Sequence, residues 1–260
     1  MSLGRYGEGN DFLLRFPDLA DFVILEDGSA LEAWPAPETS AETLRHLVLD
    51  QVLPRVLAQQ GRLVLHAGAV RVGQEAIAFI GETGRGKSTL TASFHATGYR
   101  LLSDDGIVLA EAQGTTLAQP TYSSLRLWPE AVAGLFARAP DLAPMAHYSR
   151  KQRVILTDAP NNTPMPLAAI YVLAPATGED AASISLTRMS PGEACMAIIR
   201  NSFQLDVTDR RRAMGLLTVA SDIAQQLPVF SLNFPRRFEC LPDVREAILG
   251  QHRLGEPIDG

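Results

Sequence analysis

The run Gly81-Glu82-Thr83-Gly84-Arg85-Gly86-Lys87-Ser88 fits the pattern G-x-x-x-x-G-K-[ST]. Glycines in such a loop let successive backbone N–H groups turn inward around a phosphate. A lysine then reaches the β and γ oxygens, and a serine hydroxyl ligates Mg²⁺. The run lies between the apolar stretch AIAFI and a helical pattern that starts at Lys87. A helix N-terminus there adds free donors and a favourable dipole. At average residue frequencies the four fixed positions arise by chance in about one chain of this length in a hundred, and the strand-loop-helix setting lowers that further. Gly81, Glu82, Thr83, Gly84, Arg85, Gly86, Lys87, Ser88 and Thr89 are therefore expected to bind the phosphates of ATP.

Asp104 and Asp105 follow the short apolar strand YRLLS. The carboxyl end of a strand is the edge on which open α/β sheets bind ligands. One carboxylate beside a phosphate site can hold Mg²⁺, directly or through water, and the other can accept the proton of an attacking hydroxyl. An Asp-Asp-Gly turn is the plain alternative for an isolated doublet, and closeness to the glycine-rich loop favours the chemical reading. His66 interrupts the apolar alternation of LVLHAGAV just upstream, as a satisfied core histidine or an active-site residue would.

The elements that must position these groups read as an α/β fold. Residues 11 to 33 give short strands with a hairpin signal at Asp27-Gly28. A Thr39-x-x-Glu42 capping box and apolar Leu44, Leu47, Val48 and Leu53 predict a helix over about 40–59, bent near Pro54. RLVLHAGAVRV and AIAFIG predict strands before the loop, and Gly98 closes the helix that begins at Lys87. Further strands are expected at YRLLS, GIVLA, SSLRLW, LAAIYVLAP, SISLTRM and VFSLNF. Further helices are expected after Trp128, after a Ser190–Glu193 capping box, from near Thr208 to Gln226, and at PDVREAILG. RAPDLAPMAHYSRKQRV reads as a mobile loop.

Composition bounds the class. With 260 residues, 46% of them hydrophobic, the chain can bury a substantial core. A formal charge of −6 argues against a nonspecific nucleic-acid binder. Cys195 and Cys240 suggest neither a disulfide framework nor a zinc site. No apolar run is long enough to span a membrane, and the N-terminal residues lack a signal-peptide pattern. The expectation is a cytoplasmic protein with no nucleic-acid or membrane partner.

Together these residues resemble the catalytic domain of HPr kinase/phosphorylase and its shorter HPr-kinase-like relatives. The family pattern is His-Gly and an apolar strand, then G-D-S-G-x-G-K-S, then R-G-H-R-L-V-A-D-D. Here LHAGAV, GETGRGKS and TGYRLLSDD stand in that order, and the offset from His66 to Lys87 matches the family's. The likeness covers about residues 60–110. It implies an HPr kinase/PEP carboxykinase-like phosphate-loop fold, a mixed sheet flanked by helices, over residues 61–260, with a small N-terminal β-α extension over residues 1–60. It also implies ATP- and Mg²⁺-dependent phosphorylation of a serine on a peptide or small protein. Matched residue by residue, it makes Asp104 the general base, places Asp105 and Ser88 near the metal and Lys87 at the phosphates, and makes His66 an active-site residue.

The departures are Glu82 for the family's loop aspartate, Thr89 for its glutamate after the serine, and SSLRLWPEAV where E-x-R-G-[LI]-G is expected. The segment before the core is also shorter than the family's regulatory domain. These count against the phosphorylase reaction and HPr itself, and leave an HPr-like protein as one candidate acceptor. A lasso-peptide precursor serine, the acceptor of some short relatives, is the substrate class the resemblance suggests. The family's rings leave a homo-oligomer open. Two other readings remain: a small-metabolite kinase of the same fold, and a nucleotide-gated peptide-binding regulator without catalysis. Arg150, Lys151 and Arg153 are candidates to clamp the γ-phosphate, and Arg236 and Arg237 to meet a phosphate or an acidic peptide.

Overall fold

The computed structural model describes residues 1–7, 10–120, 124–138, 140–156, 163–175 and 183–252. Strands β1 (Ser2–Tyr6), β2 (Asp11–Phe16), β3 (Ala20–Ile24) and β4 (Leu31–Pro35) form an antiparallel meander in chain order. Gly28, at φ 74°, gives the β3–β4 connection the left-handed residue that Asp27-Gly28 predicts. Phe12, Leu14, Phe22 and Ile24 pack against Leu47, Val52 and Val56 of the following helical segment. Leu205, from far along the chain, completes this cluster.

That segment runs as α1 (Ala41–His46), a π-helical stretch (Leu47–Val52) and α2 (Leu53–Gln59). The bend expected near Pro54 takes this form. A proline ring crowds the carbonyl four residues back and offers no N–H, and a wider turn upstream relieves both problems. The expected Thr39 cap is corrected. Helix α1 starts one residue later, so Ser40 accepts from the Thr43 N–H at 3.2 Å, while Thr39 donates to the Leu19 carbonyl.

The central strands are β5 (Leu63–Leu65), β6 (Ala67–Val72), β7 (Glu75–Ile80), β8 (Leu101–Ser103), β9 (Ile107–Ala112) and β10 (Thr115–Gln119). After these come β11 (Ser124–Leu127), β12 (Leu142–Pro144), β13 (Gln152–Ile155), β14 (Met165–Leu173), β15 (Ser185–Arg188) and β16 (Val229–Asn233). Nine of them make one curled mixed sheet in the order β5-β9-β10-β14-β7-β6-β8, with β16 on β14 and β15 on β16. β14 runs parallel to both β7 and β16, and the other pairings are antiparallel.

Alternation along β7 sorts the two faces. Ala76, Ala78 and Ile80 join the cluster covered by α5 (Pro191–Arg200) and α6 (Arg210–Gln226). Ile77 and Phe79 join the cluster covered by α3 (Lys87–His95) and α7 (Leu241–His252). Both faces of β7 are thus buried, which is why its sequence is apolar from Ala76 to Ile80. α4 (Pro129–Leu135) packs beside β11.

Three local expectations change. The stretch RLVLHAGAVRV is two strands broken at His66, because β5 pairs with β9 whereas β6 pairs with β7 and β8. β1 and β10 were not expected; each is five residues long, with β1 wholly exposed. The segment expected as a mobile loop carries β12 and β13, which join β11 in a three-stranded antiparallel sheet. Val154 of β13 is buried against Leu125 and Leu127, an order supplied by the partner strand and invisible in three- and four-residue pieces. Thr121, Tyr122 and Ser123, in the region read as the start of the SSLRLW strand, and Ala139 lie outside the described residues. Among the described residues no helix is long and apolar enough to cross a membrane.

Candidate active site

Backbone direction alone brings the candidate residues together. β6 is antiparallel to β7 on one side and to β8 on the other. β7 and β8 therefore end on the same edge of the sheet, and β6 begins there. The glycine-rich loop follows β7, Asp104 and Asp105 follow β8, and His66 immediately precedes β6.

The loop leaves β7 at Gly81, φ 146°, and turns through Gly84 at φ 85° and Gly86 at φ 92°, the N-cap of α3. These are conformations L side chains rarely adopt. At Gly84 a Cβ would meet nothing within 4 Å, so backbone angle and not space is the requirement there. Asn201 anchors the start of the loop. Its Oδ1 accepts from the Gly81 N–H at 2.9 Å, and its carbonyl accepts from the His66 N–H at 2.7 Å. Lys87 is buried and folds back over the loop, donating from Nζ to the carbonyls of Gly81 at 2.6 Å and Glu82 at 3.2 Å. Burial lowers its pKa, against the pull of Asp105 and Asp104. Glu82 is exposed and pairs with Arg85.

Thr83, Gly84, Ser88, Asp105, Trp128 and Lys151 line an open cleft of about 100 Å³ beside Lys87 and His66. The two aspartates stand in different places relative to it. Asp104 is buried beneath the cleft, where Oδ2 accepts from the Arg126 N–H at 3.0 Å and Oδ1 has no hydrogen-bond partner. Burial, then the charge of Asp105, push its pKa up to about 7, while Arg126 and the neighbouring Ser88 hydroxyl pull the other way. Asp105, with its side chain 19% exposed, reaches the cleft from a left-handed backbone position, φ 69°. Burial raises its pKa, but His66, Arg126 and Lys151 together lower it well below the usual carboxylate range. His66 Nε2 lies 3.4 Å from Asp105 Oδ1, and its ring stacks on Phe203 with centroids 5.7 Å apart.

Arg126, on β11, is the functional residue that motif reading missed. Its Nη1 donates to Asp105 Oδ2 at 3.0 Å, and its Nη2 to Asp50 Oδ1 at 2.6 Å. The available signal was an arginine inside the apolar alternation of SSLRLW, which stood only as a departure from a family motif.

The basic residues separate. Lys151 lines the cleft, with Nζ 5.7 Å from the Trp128 ring centroid. Arg150 is exposed and meets Glu130 at 3.8 Å. Arg153 lies in a small cavity with Arg45 and Asp50, behind Arg126. Only Arg153 belongs to β13; Arg150 and Lys151 precede the strand. Arg236 donates to the carbonyls of Ala174 at 2.7 Å and Phe234 at 3.1 Å, and its Cδ would lie 3.9 Å from a Cβ at Gly86. Burial and then the charge of Arg85 lower its pKa to about 10. Arg237 is exposed.

Mg²⁺ is a hard cation that takes oxygen ligands and is commonly held by one or two protein groups together with substrate phosphates. The unpartnered Asp104 Oδ1 next to Ser88 fits that donor set. Among the described residues no group of three or more His, Cys, Asp or Glu side chains is arranged to hold a metal.

No family model matches the chain, and no curated protein matches it. Among solved structures, the Hpr(Ser) kinase/phosphatase from Coxiella burnetii is similar with a TM-score of 0.37 and 15% identity, over 73% of this chain and 95% of that one. A likeness so distant carries no inference about chemistry, which rests on the residues of this chain.

Proposed function

We propose that the chain is an ATP- and Mg²⁺-dependent kinase that transfers the γ-phosphoryl group to a serine hydroxyl of a peptide or small protein. The observation that carries this reading is the convergence on one cleft of a glycine-rich loop, a buried carboxylate beside Ser88, and a second, ionised carboxylate facing the opening. Loop amides and Lys87 would neutralise and orient the phosphates, and Lys151 would add charge from the opposite wall. Ser88 and Asp104 would hold Mg²⁺, whose contribution when bound is to neutralise the β and γ oxygens.

The placement of the doublet favours the reverse of the division the resemblance implies. Asp105, facing the cleft, would take the serine proton as the serine oxygen bonds to the γ-phosphorus and the bond to the β-phosphate oxygen breaks. Its lowered pKa keeps it ionised and able to accept the serine O–H hydrogen bond, but lowers its proton affinity, so the proton would pass late, once the serine oxygen has begun to bond to phosphorus. His66 and Arg126 would orient it. The exposed ring of Trp128 beside the cleft supports a peptide acceptor over an enclosed metabolite. Within that class, the precursor of a lasso peptide is the candidate suggested by the short relatives.

The test is transfer from γ-labelled ATP with Mg²⁺ to a pool of serine peptides, wild type beside Asp105→Asn. The expected result is label on serine, reduced roughly 100- to 10,000-fold in the variant while ATP binding persists. ATP bound by wild type with no label on any peptide, and label instead on a small metabolite, would replace this reading with the metabolite kinase. Binding with no transfer at all would leave the nucleotide-gated regulator.

A further inference from the structure

The Arg126 guanidinium is 2% exposed and stands between carboxylates from two parts of the chain. Its Nη1 holds Asp105 and also donates to the Asp104 carbonyl at 3.3 Å, and the backbone N–H of the same residue holds the Asp104 carboxylate. Its Nη2 reaches Asp50, which belongs to the π-helical stretch of residues 47–52. The Asp50 side chain is 3% exposed, and its second oxygen meets His46 Nδ1 at 2.6 Å.

A guanidinium is a rigid planar fork, so whatever fixes one arm sets the direction of the other. Asp50 is not among the residues that line the cleft, yet it grips the arm opposite the one on Asp105. The π-helical geometry makes the grip available. It brings Asp50 inward with Leu47 and Val52 on a helix face that is otherwise apolar, and such local widenings recur at functional sites.

We propose that Asp50 is a positioning residue for the transfer reaction: it aims Arg126 so that Asp105 faces the acceptor and Asp104 stays beside Ser88. The proposal rests on the kinase reading above. A carboxylate that merely neutralised a buried arginine would keep kcat in the folded protein when one methylene longer, whatever the packing cost; one that sets direction would not. The informative variant is therefore Asp50→Glu, which keeps the charge and displaces it.

The experiment measures steady-state transfer, ATP binding and thermal melting for wild type, Asp50→Glu, Asp105→Asn and the double variant. For Asp50→Glu, kcat is expected to fall roughly 10- to 100-fold, with a lower melting temperature as the added methylene is accommodated but a folded protein whose KM for ATP stays within about twofold. In the Asp105→Asn background the same change is expected to cost nothing more, because no aimed base remains. A wild-type kcat in Asp50→Glu, or a loss that simply adds to that of Asp105→Asn, overturns the proposal.

If wild type transfers phosphate to no acceptor, the kinase reading fails separately, and the placement of Arg126 is read directly by NMR. Separately resolved Arg126 Nη protons in wild type that merge in Asp50→Glu support a grip by Asp50. Spectra unchanged by the substitution overturn it.

Discussion

Asp104 carries a pH signature that its neighbour does not share. Burial, with the charge of Asp105, raises it to about 7, whereas an unfolded aspartate titrates near 4. Between those values the folded chain keeps a proton that the unfolded chain has lost. Its contribution to stability is thus complete below about pH 4 and is lost as pH rises to about 7. Asp105 works in another window, since its lowered pKa contributes stability above about pH 4 that disappears as pH falls. Wild type should therefore lose more melting temperature between pH 5 and pH 8 than Asp104→Asn, which has no proton to release. Parallel melting curves against pH for the two proteins would show that Asp104 ionises freely. The motif Lys87, Ser88 and the doublet was legible in the sequence because phosphate chemistry requires those residue types close together along the chain. Asp50 and Arg126 were not, because 76 residues separate them and only the folded chain makes them partners. A lone acid on the otherwise apolar face of the helix predicted over 40–59 was the one trace Asp50 left.

At the scale of elements, the loop is only as well placed as α3, which packs on β6 through Leu90 and Phe94 against Val70 and Val72 and comes closest at Gly68. A Cβ at Gly68 would stand 2.1 Å from Thr91 Oγ1 and 3.2 Å from Thr91 Cβ. Thr91 is fully buried and β-branched, so it has little room to turn aside. In Gly68→Ala the helix must lift, at a cost of about 1–3 kcal/mol, and it takes Lys87 and Ser88 with it. The expected outcome is a lower melting temperature together with weaker ATP binding, both recovered in part when Thr91→Ala removes the hydroxyl. ATP binding that stays at the wild-type level in a destabilised Gly68→Ala protein would show that the loop does not follow the helix. AGAV reads in sequence as part of a strand, and so it is. Which helix lies on it, and how closely, depends on Thr91, and no local pattern records that. The short β12 and β13 were hidden for the same reason, since their order comes from β11.

At the scale of the whole molecule, the first 60 residues read as an extension to a catalytic domain, but their contacts run deep into it. Asp50 meets Arg126, the Thr43 hydroxyl accepts from the His147 N–H at 3.0 Å, Arg5 pairs with Asp206 at 2.7 Å, and Leu205 fills the N-terminal core. The Arg5–Asp206 link is surface-weak; the buried ion pair and the shared core are not, because separating them strands a charged group and exposes apolar area together. Folding of the two regions should therefore be coupled. The sequence supplies a means of measuring this, since its two tryptophans report the two regions separately: Trp34 on β4 and Trp128 at the cleft. In urea, Trp34→Phe and Trp128→Phe proteins should show fluorescence transitions with the same midpoint and slope, as a single cooperative unit requires. If Trp34 reports unfolding at a lower urea concentration than Trp128, the meander comes away first while the central sheet persists. Asp50 would then be released with its helix before the rest of the site, and catalysis would fail along the Trp34 transition and not the later one.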